Sequence, residues 1–240
     1  MTRRRRFSAG QRPNESLRPL KAVLWDMDGT LVDTEPYWME AEHELAEQYG
    51  GTWSREHGLN LVGNDLVESG RYILTHMFEP GTTGAALTPE EIVEILLDGV
   101  VARVEQSVPW RPGAVELLAD LWEADVPCAL VTMSYARFVA PILAALPGGT
   151  FAEAVTGDVV EFGKPHPEPY LRAAAALGVS PGDCLAIEDS NTGAKSAESA
   201  GCTVLCVPNH VPILQGERRI FADTLRGLRA SDLQDLITPR

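Results

Sequence analysis

Four short apolar runs, each ending abruptly in polar or turn-forming residues, restrict what this chain can fold into. They are Ala22-Val-Leu-Trp25 before Asp26, Cys128-Ala-Leu-Val131 before Thr132, Cys184-Leu-Ala-Ile187 before Glu188 and Asp189, and Thr203-Val-Leu-Cys-Val207 before Pro208. A strand covered on both faces is apolar at every position, as the strands of parallel sheets are. Between the runs, helical spacing is found at Pro112–Ala124, Ala136–Leu146, Pro169–Leu177 and Thr192–Ala200. Strands alternating with amphipathic helices imply βαβ units, and so an α/β fold with a doubly wound parallel sheet and helices on both faces. Such sheets bind ligands at the carboxyl ends of their strands. The polar strand ends are therefore expected to converge on one site.

The stretch from Glu35 to Gln106 follows a different pattern. It has no β-branched strand run, but has helical spacing at Tyr37–Tyr49, Leu61–Phe78 and Pro89–Val104, the last preceded by Thr88 as N-cap with Glu91 three residues on. The expected organisation is a catalytic core of residues 19–34 and 108–240, interrupted by a small all-helical cap domain at 35–107. Pro80-Gly-Thr-Thr-Gly84 reads as the most flexible loop of the insertion, and Pro109 to Pro112 as the return to the core.

Charge and composition exclude several function classes. The net charge is -14, yet residues 1–20 alone carry six arginines against one glutamate. Residues 1–18 are read as a mobile basic tail. The strongly acidic remainder does not suit a nucleic-acid partner. No apolar run approaches the roughly 20 residues that cross a bilayer, and no apolar leader opens the chain, so no membrane association and a cytoplasmic location are expected. The four cysteines, Cys128, Cys184, Cys202 and Cys206, sit in apolar runs without zinc-ligand spacing and are read as reduced core residues. His43, His57, His76, His166 and His210 are scattered, and each is read as a surface or locally bonded residue.

The densest chemical signal is Asp26-Met27-Asp28-Gly29-Thr30-Leu31-Val32-Asp33-Thr34, directly after the first strand. Alone it is equally an Asx-rich turn closing a strand. Thr132-Met133-Ser134, Lys164-Pro165-His166-Pro167 and Glu188-Asp189-Ser190-Asn191 follow in order, the first and third at strand ends and the second after a loop. Together these four motifs resemble the haloacid dehalogenase superfamily, over residues 20–36 and 108–210 closely and over the insertion in outline.

Phosphoryl transfer requires a nucleophile, a cation against the phosphate oxygens and a proton donor at the leaving oxygen. Asp26 is the candidate nucleophile, through an aspartyl phosphate, and Asp28 the candidate general acid and base. Magnesium, Mg2+, usually takes one or two carboxylates and keeps water and phosphate in its other positions. Asp26 and Asp189 fit that need, and the resemblance adds the main-chain carbonyl of Asp28. Glu188 is either a further ligand or, as favoured, a group that orients a metal-bound water. Lys164 would hold Asp26 ionised and neutralise a phosphate oxygen. By resemblance Thr132 donates a hydrogen bond to the phosphate, assisted by the Met133 N–H or the Ser134 hydroxyl. Trp38 and Asn64 are the cap's candidate substrate contacts, although Tyr37, Trp38 and Tyr49 also fall at the spacing of packing residues.

The resemblance narrows the reaction. Dehalogenases lack the second aspartate of the first motif, so Asp28 implies phosphate chemistry. The insertion resembles the helical cap of the branch with β-phosphoglucomutase, phosphoglycolate phosphatase and sugar phosphatases. β-Phosphoglucomutases carry a histidine where this chain has Trp38, and an arginine three residues after a cap glycine, where counting from Gly63 gives Leu66. The expected activity is hydrolysis of a small-molecule phosphate monoester, with a phosphomutase as the alternative. A binding protein on the same fold is the remaining alternative, disfavoured because nucleophile, lysine and metal carboxylate are all present.

Overall fold

In the computed structural model, residues 19–61 and 64–237 are described. The basic tail assigned to 1–18, the cap glycine Gly63 and the last residues of the core range, 238–240, lie outside them. In chain order the elements are β1 (Ala22–Trp25), α1 (Glu35–Tyr49), α2 (Arg55–Leu59), α3 (Leu66–Met77), α4 (Pro89–Gln106), α5 (Ala114–Glu123), β2 (Cys128–Val131), α6 (Ala136–Ala144), β3 (Glu153–Val155), α7 (Glu168–Ala176), β4 (Cys184–Glu188), α8 (Asn191–Ala200), β5 (Thr203–Cys206), β6 (Arg219–Phe221) and α9 (Ala230–Ile237).

The strands form one sheet in the order β3-β2-β1-β4-β5-β6. Every adjacent pair is parallel. Alternate residues of each strand enter opposite layers. Val23, Trp25, Leu130, Leu185 and Ile187 pack with Leu117 and Leu121 of α5, Phe138 of α6 and Leu233 of α9. Ala22, Leu24, Ala129, Val131, Ala186 and Val204 pack with Tyr170 and Ala173 of α7 and Ala194 and Ala197 of α8. This is the α/β doubly wound arrangement expected from the apolar runs. All four cysteines are free and buried. No helix among the described residues is long and apolar enough to cross a membrane.

Between β1 and α5 the described regular elements are all helical. Thr88 and Glu91 form the expected reciprocal capping box at the start of α4. The helix expected over Leu61–Phe78 starts later, as α3 at Leu66, and a short helix that was not expected, α2 ending at Leu59, lies ahead of it. The Asp65 carboxylate explains the later start, because it accepts from the N–H groups of Val67 and Glu68 and so caps the helix there. The edge strands β3 and β6 were not expected. Each is three residues long with polar, partly exposed positions, and an edge strand needs no continuous apolar run.

Candidate active site

Three adjacent strands end at one place. Asp26 follows β1, Thr132 follows β2, and β4 closes on Glu188 with Asp189 next. The Asp26 N–H donates to the Ile187 carbonyl at 3.0 Å, which locks the start of the loop to β4. The loop then folds on itself, with the N–H groups of Leu31 and Val32 donating to the Met27 carbonyl and that of Gly29 to Val32. Gly29 has φ +87°, and a Cβ there would lie 1.9 Å from Asp189 Oδ2. Only glycine meets both conditions.

Lys164 is buried among these strand ends. Its Nζ donates to Asp26 Oδ1 at 2.6 Å, Glu188 Oε1 at 2.7 Å and the Val131 carbonyl at 2.9 Å. Burial alone would lower its pKa, but Asp26 and Glu188 outweigh that and hold it above the usual lysine range. Both Glu188 oxygens are engaged: Oε1 also accepts from Tyr170 Oη at 2.6 Å, and Oε2 accepts from Ser190 Oγ at 3.2 Å. A Cβ at Gly193 would come within 1.8 Å of Glu188 Oε1, so the start of α8 presses directly on this carboxylate.

Two oxygens in this cluster are buried and have no hydrogen-bond partner among the described residues, Asp26 Oδ2 and Asp189 Oδ2. Ligand oxygens of Asp26, Glu188 and Asp189 all lie within 4.8 Å of one another. Three carboxylates against one ammonium leave a buried excess of negative charge. Desolvation first, and then their mutual repulsion, pushes Asp26 and Asp189 above the ordinary carboxylate range. A divalent cation with oxygen preference fits that arrangement: two unpartnered oxygens, an all-oxygen donor set and uncompensated charge.

Asp28 points elsewhere. Its Oδ1 accepts from Thr34 Oγ1 at 2.6 Å, and its Oδ2 from Ser134 Oγ at 2.7 Å and Thr132 Oγ1 at 3.3 Å. Its carboxylate is thus outside the Asp26, Glu188 and Asp189 group, which leaves the main-chain carbonyl as its only possible contribution to a metal. Burial raises its pKa, and the three hydroxyl bonds work against the rise. The hydroxyls of Thr132 and Ser134, expected to face phosphate, are engaged by Asp28 here. Met133 is buried and its Sδ accepts from the Lys164 N–H at 3.2 Å.

A cavity open to solvent joins these groups to the helical insertion. Trp38 lines it and packs edge-on against Phe138 with ring centroids 5.7 Å apart. Asn64 is exposed at its rim, its side chain donating to the Asn60 carbonyl. Sequence reasoning missed Glu35 and Glu42, which share the α1 face of Trp38 and also line the cavity. Their spacing from Trp38 was the available signal. It also set aside His210, which lines the cavity with Nε2 2.8 Å from Asp33 Oδ1. His57 and His76 are not isolated either, since their rings lie 5.6 Å apart beside Tyr72.

A family model described as haloacid dehalogenase-like hydrolase matches residues 20–201. Hexitol phosphatase A of Escherichia coli strain K12 is 33% identical over 197 residues, covering 78% of this chain and 82% of the relative. Hexitol phosphatase B of the same strain is 30% identical over 225 residues, covering 90% and 97%. The structure of CbbY from Rhodobacter sphaeroides in complex with xylulose-(1,5)bisphosphate superposes with a TM-score of 0.74 at 27% identity, covering 87% of this chain and 96% of that one.

Proposed function

The chain belongs to the haloacid dehalogenase-like hydrolases and is a phosphoric monoester hydrolase, and from that premise we propose that it hydrolyses a small-molecule phosphate monoester, a sugar phosphate, phosphoglycolate or similar, through Asp26 with magnesium. The observation that carries this reading is the Lys164 ammonium held by Asp26 and Glu188 beside two buried carboxylate oxygens without partners.

Asp26 attacks phosphorus in line with the leaving oxygen, so that an Asp26 O–P bond forms as the ester P–O bond breaks. Asp28 gives its proton to the departing alkoxide, then takes one from the water that cleaves the aspartyl phosphate. Thr34, Thr132 and Ser134 hold the Asp28 carboxyl beside that path. The Thr132 and Ser134 hydroxyls bind phosphate oxygens when they turn from Asp28, together with the Met133 N–H. Lys164 keeps Asp26 ionised and adds a positive charge at the phosphoryl group. Magnesium would be held by Asp26, Asp189 and the Asp28 carbonyl, and when bound it offsets charge on the transferring phosphoryl oxygens. Glu188, whose Oε1 is shared by Lys164 and Tyr170, acts in this reading chiefly to position Lys164.

Residues 35–107 act in this reading as a cap domain that closes over the site and sets leaving-group choice, with Trp38 and Asn64 among its contacts. Hydrolysis is preferred to phosphomutase chemistry because Trp38 and Leu66 supply no cation for a second phosphate. Turnover of a phosphate-ester panel tests the reading. Activity is expected with magnesium and not with excess chelator, Asp26→Asn should abolish it, and Asp28→Asn should cost sugar phosphates more than p-nitrophenyl phosphate, whose leaving group needs little protonation. Full-rate hydrolysis in chelator would refute the metal assignment.

A further inference from the structure

Glu42 is a carboxylate that nothing in the chemistry above uses. It lies on α1 seven residues after Glu35 and four after Trp38, on the face turned to the cavity. Only 4% of the residue is exposed. Trp53 Nε1 donates to its Oε2 at 2.7 Å, and among the described residues no other hydrogen bond and no ion pair reaches it. A Cβ at Gly58 would come within 2.9 Å of Oε2, so the glycine leaves the carboxylate its room.

The surroundings make this placement costly for a structural role. Leu61, Leu66, Ile73, Val93 and Leu96 line the same cavity. A carboxylate taken from water into such a lining without a cation is unfavourable, and a glutamine or an apolar side chain would fill the space at less cost. An acceptor left with one donor in a ligand cavity is chemistry that a ligand completes. Among the described residues lining the cavity, Lys164 is the only lysine or arginine, and it sits at the opposite, strand-end side with Asp26.

Building on the phosphatase reading, we propose that Glu42 is the specificity-determining residue at the leaving-group end of the cavity, accepting hydrogen bonds from hydroxyls of an uncharged polyhydroxylated group. The substrate class is then the monophosphate of a sugar or sugar alcohol. A bisphosphate would bring its second dianion towards Glu35 and Glu42, where no lysine or arginine is among the described lining residues to receive it. An ammonium group would have to be stripped of water among the same leucines and isoleucine, where desolvation outruns the gain from pairing. Hydroxyls lose less on transfer, and the C–H face of a polyol suits the apolar wall. Trp53 is a positioning residue, fixing one Glu42 oxygen so that the other meets the substrate.

The test compares the wild type with Glu42→Leu, Glu42→Gln and Trp53→Phe, with magnesium, on a hexitol or hexose monophosphate, the matching bisphosphate, an amino-sugar phosphate and p-nitrophenyl phosphate. The wild type is expected to favour the neutral monophosphate. Glu42→Leu should lower its kcat/KM for that substrate roughly tenfold or more, chiefly through KM. The loss on the aryl ester should be several times smaller. Glu42→Gln, which keeps an acceptor oxygen of the same shape, and Trp53→Phe should fall between. Equal losses on every ester, or a wild-type preference for the bisphosphate or the amino sugar, would overturn the assignment while leaving the phosphatase reading in place. Absence of magnesium-dependent hydrolysis of any ester, the aryl phosphate included, would overturn the phosphatase reading and this one with it.

Discussion

Lys164 and Glu42 are two buried ionisable residues with opposite arrangements around them. Lys164 faces two carboxylates and a carbonyl, so removing its ammonium strands buried carboxylate charge at a cost of about 3–5 kcal/mol. Glu42 faces only an indole N–H. Burial lifts its pKa from 4.5 to about 7, against the pull of the Trp53 hydrogen bond. The folded chain therefore holds this proton where the unfolded chain releases it. The stability that the neutral form contributes is complete below the unfolded value and is lost as pH rises through about 7. Glu42→Gln should accordingly gain in unfolding free energy relative to the wild type across that interval, by at most about 3 kcal/mol. Urea titrations at several pH values with magnesium held constant would read it, and a pH-independent difference would contradict it. Asp26, Asp28, Lys164, Glu188 and Asp189 were legible in the sequence because strand ends and loop prolines frame them. Glu42 was not, because a glutamate within Glu42-His-Glu44 reads as solvated until tertiary packing covers it.

Helices α1 and α3 shape the far wall of the cavity, and they do so through their starts. Pro36 lies in the first turn of α1, and Asp65 caps α3 so that Leu66 is its first residue. Trp38 and Leu66, both lining the cavity, are therefore placed by a proline-started helix in the first case and a carboxylate-capped one in the second, as well as by packing. Introducing cations there, Trp38→His with Leu66→Arg, should lower KM for a sugar bisphosphate by about tenfold, the scale of one charge-assisted hydrogen bond. Turnover of p-nitrophenyl phosphate should fall much less. Unchanged kinetics on every substrate in a folded variant would make the insertion a structural appendage. The start of α3 also shows where periodicity fails as a guide: apolar spacing runs through Leu61–Phe78, yet the short-range hydrogen bonds of Asp65 set the helix to begin at Leu66. Capping by a single carboxylate competes on equal terms with a continued helix, and spacing alone does not register that competition.

Across the whole molecule, the sheet carries reactive groups from widely separated parts of the chain to one edge of three neighbouring strands. The interior strands were legible because both their faces are covered, while β3 and β6 at the edges carry polar, half-exposed residues that look like loop. The same strand order has a consequence for synthesis. β1 is the first described strand to leave the ribosome, and it is an interior strand, with Val23 beside Cys128 on one side and Ala22 beside Cys184 on the other. The entire helical insertion and five further core elements, α5, β2, α6, β3 and α7, must be made before its second neighbour, β4, exists. An apolar segment thus waits, half-paired at best, through most of translation, the condition in which nascent chains recruit chaperones or associate wrongly. A fragment ending at Asp183 should therefore leave the amides of β1 open to hydrogen exchange, with protection arising only once Cys184–Glu188 are included. Protection in the shorter fragment would show instead that the growing chain shelters its first strand by some route other than the finished sheet.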